Sequence, residues 1–310
     1  MQASFAGTAG ALCADMSAPR PVFSGTTYLV TRRCSQRQFF LRPSETSTEI
    51  FLYALAVAAH RTGVLIHAFC VMSNHTHIVL TDPDARLPLF NQLLNAMIAR
   101  AMNAALGRWE SFWDPRSYSA VTLVSPGDVV NETAYTLANP VAEGLVRKGR
   151  MWPGAWSEPD RIGGEPITAT RPKHFFSENG TLPATIDLEL TPPPGFASAT
   201  DFREQVLADL ATREEEAAKT FRNRFLGVEK VLSQKPTTRP PPTEPRRTLS
   251  PKVAARDPLK RIEALSRIKA FLKAYREAWA ARRAGKADVV FPAGTYLLRV
   301  EHGVQCAGFG

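Results

Sequence analysis

An α+β fold is what this sequence predicts, and two observations carry the prediction. Short β-branched and aromatic runs of strand length alternate with amphipathic stretches of helix length, in the order strand, helix, strand, strand, helix, strand. Turn and cap residues fall between them at the expected places. That order is the one of a ferredoxin-like sandwich, an antiparallel sheet with two helices on one face.

The first strand is Thr26-Thr27-Tyr28-Leu29-Val30-Thr31, followed by the basic polar turn Arg32-Arg33-Cys34-Ser35-Gln36-Arg37. Thr46 and Glu49 are placed as a capping box for a first helix, in which Ile50, Tyr53, Ala54 and Val57 recur at helical spacing until Gly63 stops it. Leu65 to Met72 and His77 to Leu80 are two further strands, with Ser73-Asn74 as a tight turn between them. Leu89, Leu93, Ala96, Met97, Ala101 and Ala104 trace a second helix that ends near Gly107, and Ser119 to Val124 is the fourth strand. Ser125-Pro126-Gly127-Asp128 then reads as a helix start: Ser125 caps, Pro126 suits the first helical position, and Asp128 favours the dipole. A third helix, Val129 to about Leu145, is an addition to the basic pattern.

Beyond Trp156 the periodicity degrades. Thr191 to Gly195 and Lys235 to Pro251 are proline-rich and read as extended, solvated linkers, with a charged helix between Phe202 and Leu232. After Asp257-Pro258, an apolar stripe of Leu259, Ile262, Leu265, Ile268, Leu272, Tyr275 and Trp279 is flanked by many lysines and arginines. Such a basic amphipathic helix either docks on a core or touches phosphates. The apolar segment Val289 to Leu298 is expected to pack. Residues 1–21 read as a disordered N-terminal segment, with Met16 as an alternative start.

The 310 residues carry a net charge of +9 and a pI near 9.6, which favours a polyanionic partner. Cys13, Cys34, Cys70 and Cys306 show no paired spacing, so neither a disulfide framework nor a cysteine-rich zinc site is indicated. With no membrane-length apolar run and no signal-like opening, the expected setting is soluble and cytoplasmic, with no membrane partner.

Two motifs carry chemistry. In Asn74-His75-Thr76-His77 the histidines are one residue apart on a strand, so both rings lie on one face and can share a metal ion. The alternative is a structural pair bonded to backbone. On the third helix, Asp128, Asn131, Tyr135 and Asn139 follow at spacings of three, four and four, and so share a face. Val130, Ala134, Leu137 and Val141 make the opposite, apolar face, which turns Tyr135 outward. Asn139 offers an oxygen one turn beyond the Tyr135 hydroxyl, and with His75 and His77 completes a two-nitrogen, one-oxygen donor set. Pro140 is expected to pull Asn139 out of ordinary helical geometry.

At these residues the chain resembles the HUH single-tyrosine transposases, in particular the insertion-sequence-200-like group that includes the REP-associated tyrosine transposases. The resemblance covers about residues 22–157. It rests on the first strand through Arg32, Val71 to His77, Phe112-Trp113-Asp114-Pro115-Arg116-Ser117-Tyr118, Ala134 to Val141 with Gly144-Leu145-Val146, and Trp152-Pro153-Gly154-Ala155-Trp156. It implies a domain at 22–157; composition and periodicity alone give a Pro-rich, charged linker region with a helix at 158–256 and a basic amphipathic helix with a C-terminal segment at 257–310.

The resemblance further implies that His75, His77 and Asn139 bind Mg²⁺ or Mn²⁺ and that Tyr135 is the nucleophile. The activity implied is cleavage and rejoining of single-stranded or hairpin DNA through a 5′-phosphotyrosine, in a homodimer. Arg32, Arg33, Arg37 and Arg116 are candidate DNA contacts, with Trp109 and Trp113 for stacking. One departure is Thr76, where the family carries a bulky apolar residue. Two other readings compete: a nucleic-acid-binding module without catalysis, and a metal-dependent hydrolase. The hydrolase reading lacks further ligands, since His60, His67, His174 and His302 show no suitable spacing.

Overall fold

The computed structural model describes residues 19–116, 118–240 and 251–308. Met16, most of the 1–21 segment, Ser117 and most of the second proline-rich stretch lie outside the described residues. These residues divide into two compact units, 23–266 and a smaller one of 267–310 joined by the segment ending at Val22.

In the larger unit the strands are β1 (Thr26–Arg33), β2 (Leu65–Met72), β3 (His75–Asp82) and β4 (Ser119–Leu123), and the helices α1 (Glu45–Thr62), α2 (Leu87–Leu106) and α3 (Pro126–Ala142). The strands run in spatial order β2-β3-β1-β4, all antiparallel, which is the ferredoxin-like arrangement. The sheet is nevertheless mixed. A fifth strand, Val253–Ala254, pairs parallel to β4. It is held by the Thr122 N–H donating to the Lys252 carbonyl (2.9 Å) and the Arg256 N–H donating to Asp128 Oδ1 (2.8 Å). This return of the chain covers an otherwise open sheet edge.

Alternation along the strands sorts the layers. Ile78 faces the same side as Phe69, its partner across the ladder, and the Phe69 ring meets Phe51 of α1 at 5.4 Å between centroids. Helix α1 in turn packs on α2. On the opposite side Cys70 and Met72, paired with His77 and His75, join Val141 of α3 and Trp152 in one apolar cluster. The histidines therefore belong to the α3 face, and Thr76, buried, belongs to the α1 face.

Local detail departs from the sequence reading at four points. The α1 cap is Ser44, whose side chain accepts from the Ser47 N–H while the Ser47 hydroxyl accepts from the Ser44 N–H. Ser44 is extended and serves as the cap, so the capping box lies two residues before the Thr46 and Glu49 pair. Helix α3 begins as expected, with Ser125 and Asp128 forming a capping box and Pro126 at its first position, but it continues through Asn139 and Pro140 to Ala142. The Thr191 to Gly195 stretch is not a solvated linker: the Thr191 N–H donates to the Ile66 carbonyl (2.9 Å), and the Thr191 carbonyl bonds His67 Nδ1 (2.7 Å).

Fourth, residues 158–256 hold more than one helix. They contain the hairpin of β5 (Ile167–Thr170) and β6 (Thr185–Leu188), helix α4 (Ala199–Thr220) and the short α5 (Val228–Ser233). The expected charged helix is thus two helices, broken at a turn around Arg222 and Asn223, which both have positive φ. Helix α4 lies against α3. Its buried Glu214 accepts from the Gly149 N–H (2.7 Å) and pairs with Lys148 Nζ (2.9 Å), while Arg213 donates to Asn131 Oδ1 (2.7 Å).

In the smaller unit, helix α6 (Pro258–Arg283), which starts in the larger one, supplies Phe271, Tyr275 and Ala278 to a core completed by Phe291, Leu298 of α7 (Leu297–His302) and Val304. The Val22 N–H donates to the Gly294 carbonyl (3.0 Å). The predicted stripe on α6 is buried only in its later part, for Leu259 and Ile262 are 77% and 61% exposed. Among the described residues no helix is long and apolar enough to cross a membrane.

Candidate active site

Two strands and one helix bring the candidate residues together. The His75 and His77 rings meet edge to face at 4.8 Å between centroids, and His77 meets the Tyr135 ring at 5.6 Å, perpendicular to it. Asn139, one turn beyond Tyr135, directs its Nδ2 to His77 Nε2 at 3.3 Å. Tyr135 is 37% exposed while Asn139 is buried, so one helix face presents a partly exposed phenol and, one turn on, a buried carboxamide.

The proton positions follow from the partners. His75 Nδ1 lies 2.6 Å from Asn74 Oδ1, and the orientation of that amide is set by its own Nδ2 donating to the Arg37 carbonyl (3.2 Å). A carbonyl oxygen only accepts, so His75 carries its proton on Nδ1. His77 Nδ1 meets Thr31 Oγ1 at 3.1 Å, and since its Nε2 receives the Asn139 amide, its proton too sits on Nδ1. Both rings are fixed by the nitrogen away from Asn139 and turn an Nε2 lone pair toward it; that of His77 accepts the Asn139 Nδ2 hydrogen bond, which a coordinated ion would have to displace.

Burial, reinforced for His75 by His77, Arg33 and Arg37, keeps the His75 ring neutral, well below the usual imidazole range; burial and then Arg33 push His77 down to about 4. Asn139 acts on His75 in the sense that favours a protonated ring, as a carbonyl oxygen does. In the neutral site that oxygen, Asn139 Oδ1, is buried with no hydrogen-bond partner. An unpaired buried acceptor costs about 1–3 kcal/mol, which a bound cation would relieve. The set fits a divalent metal on that ground: neutral imidazoles and a carboxamide oxygen suit Mg²⁺ or Mn²⁺ with water completing the shell. Among the described residues no group of three or more His, Cys, Asp or Glu could hold a metal.

The remaining predicted residues separate. Asp128 is spent on the α3 cap and on Arg256, and Asn131 on Arg213 and Arg256, so neither joins Tyr135 and Asn139. Arg33 stands opposite His75 in the β1–β3 ladder and its charge acts on His75, His77 and Tyr135; Arg37 acts on His75. Arg32 instead stacks over Trp113 at 5.7 Å and donates to the Arg116 carbonyl, and Arg116 is paired with Asp114 at 2.9 Å. Trp113 is a core residue bonded to the Asn95 carbonyl (2.9 Å), whereas Trp109 is 97% exposed. Desolvation, then Glu132 and Glu143, raise the Tyr135 phenol above its ordinary value, so it holds its proton at neutral pH.

Two residues that matter here were not legible beforehand. Thr31 reaches His77 only because β1 pairs with β3 in this register, and Asn74 was read as a turn residue. A carboxamide immediately before a His-x-His pair is the signal that could have found the latter.

No protein-family model and no curated protein matches the chain. Among solved structures it is similar to a REP-associated tyrosine transposase bound to a REP hairpin, with 20% identity, 45% of this chain and 81% of that chain covered, and a TM-score of 0.38. It is also similar to a protein of Deinococcus radiodurans R1 assigned as a transposase, with 23% identity, 39% and 95% coverage, and a TM-score of 0.29.

Proposed function

We propose that this chain is a metal-dependent tyrosine transposase that cleaves and rejoins single-stranded DNA. The observation that carries the reading is the convergence of two neutral imidazole Nε2 atoms and the partnerless Asn139 Oδ1 beside the Tyr135 ring. His75, His77 and Asn139 would hold Mg²⁺ or Mn²⁺. When bound, such an ion makes a phosphate more electrophilic by withdrawing charge from its oxygens.

The chain's own residues supply the rest. Tyr135 Oη attacks phosphorus and forms a phosphotyrosine at the 5′ side; the phosphorus–O3′ bond breaks, the phenol gives up its proton, and the departing 3′ oxygen leaves as a hydroxyl. The phosphodiester is exchanged, not lost, so a second 3′-hydroxyl reverses the step and joins new ends without a nucleotide cofactor. Arg33 and Arg37 place positive charge on the same face for the strand's phosphates. One nucleophile per site serves one cut, so a homodimer is the natural assembly for cutting two ends.

The test is incubation with labelled single-stranded hairpin DNA and Mn²⁺. A covalent protein–DNA adduct is expected that Tyr135→Phe abolishes. An adduct that survives in the variant moves the nucleophile elsewhere, and DNA binding without any adduct favours the inactive binding module.

A further inference from the structure

Five of the nine net positive charges fall in residues 267–310, where eight lysines and arginines face three acids. This is also the segment that forms its own compact unit with its own core. Within it, Lys269, Lys273, Arg276 and Arg283 follow one another on α6 at spacings of four, three and seven, which keeps them on one stripe. The buried Phe271, Tyr275 and Ala278 point elsewhere on the helix, about 80° or more from every one of the four cations at about 100° per residue. All four cations are exposed, and among the described residues none is in an ion pair.

Part of this charge has a local explanation. Arg282 and Arg283 sit in the last turn of α6, where the helix dipole favours cations. Lys269, Lys273 and Arg276 lie mid-helix and gain nothing from it.

We propose that this stripe is a second nucleic-acid surface, which grips the DNA backbone without reading sequence and independently of any chemistry at Tyr135. The row is about 21 Å long at 1.5 Å per residue, and each DNA strand offers a phosphate about every 3.4 Å along the duplex. An acidic membrane fits less well. A helix that lies on lipid needs its large apolar face free, and here the part of that face level with the cations is consumed by the core at Phe271, Tyr275 and Ala278. Between Lys269 and Arg283 the other exposed residues are Ala270, Glu277, Ala280 and Arg282, which offer little to insert.

The experiment uses the full chain in EDTA, so that cleavage plays no part, with a fluorescent plain duplex DNA titrated at several salt concentrations. The variant Lys269→Gln, Lys273→Gln, Arg276→Gln keeps good helix formers at exposed positions, and its thermal unfolding should match the parent. Its salt slope should fall by about 0.9 per lost contact, near 2.7 in all, with weaker binding at every salt concentration. A control removes the same charge at Lys219, Arg224 and Lys230, outside this unit. Equal losses in the two triples would reduce the effect to net charge and overturn the proposal, as would an unchanged slope in the α6 variant. Vesicles containing phosphatidylserine form the third arm: loss of vesicle binding with DNA binding intact would assign the stripe to membranes. Because no step depends on Tyr135, a failed adduct assay leaves this result interpretable.

Discussion

Replacing Asn139 with leucine, similar in size and shape, tests whether its oxygen awaits a cation. In the metal-free protein Oδ1 is a buried acceptor without a partner, a cost of about 1–3 kcal/mol. Leucine removes that cost but leaves the buried His77 Nε2 without its Nδ2 donor, a loss of about 1–3 kcal/mol. The two nearly cancel, so in EDTA the variant should unfold within about 1 kcal/mol of the parent, although the substituted site is 4% exposed.

Metal separates the two proteins. A ligand at a hundred times its Kd stabilises the parent by about 2.7 kcal/mol. If loss of one donor weakens binding about a hundredfold, the same concentration adds only about 0.4 kcal/mol to the variant. Denaturant unfolding of both proteins in EDTA and in Mn²⁺ measures all four values. A variant destabilised by about 3 kcal/mol or more in EDTA, yet gaining as much from Mn²⁺ as the parent, would refute the assignment of Asn139 Oδ1 as a donor to the ion.

Three further outcomes are expected. Burial holds His67 neutral, with its pKa pushed from 6.5 to about 4, so the unfolded chain binds this proton first. Stability is therefore full above about pH 6.5 and falls by up to about 3 kcal/mol as pH drops through 4; His67→Gln should flatten that part of the acid curve, and superimposable curves would count against the mechanism. Asp128→Ala removes the acceptor for the Ser125 N–H and hydroxyl and for the Arg256 N–H, and should cost about 2 kcal/mol in denaturant unfolding. Gly149→Ala would set a Cβ 2.8 Å from the Leu137 carbonyl oxygen and 3.0 Å from the Trp156 ring. Backbone cannot yield there, so a loss of about 1–3 kcal/mol and a slower Tyr135 reaction are expected, the latter because Leu137 lies between Tyr135 and Asn139 on α3.

The elements of the larger unit were legible because their signals are local. Alternation marks β1 to β4, glycine ends α1 and α2, and Ser125 with Asp128 opens α3. Spacing alone also placed His75 with His77 and Tyr135 with Asn139, since periods of 2.0 and 3.6 fix which side chains share a face. The same spacing over-reached at Asp128 and Asn131. It assigns a face but not a partner, and α4 and the chain at Arg256 claimed those two side chains.

What only the tertiary structure decided is long-range. The β1–β3 register sets Thr31 against His77 and Arg33 against His75, while the fold of the turn sets Arg37 against Asn74. These contacts fix the imidazole protons on Nδ1 and leave the Nε2 lone pairs beside an unsatisfied amide oxygen. A sequence determines which donors can share a face, because backbone geometry repeats over a few residues. It does not determine which lone pair is left over, because that depends on partners tens of residues away, brought close only when the sheet and α3 have packed.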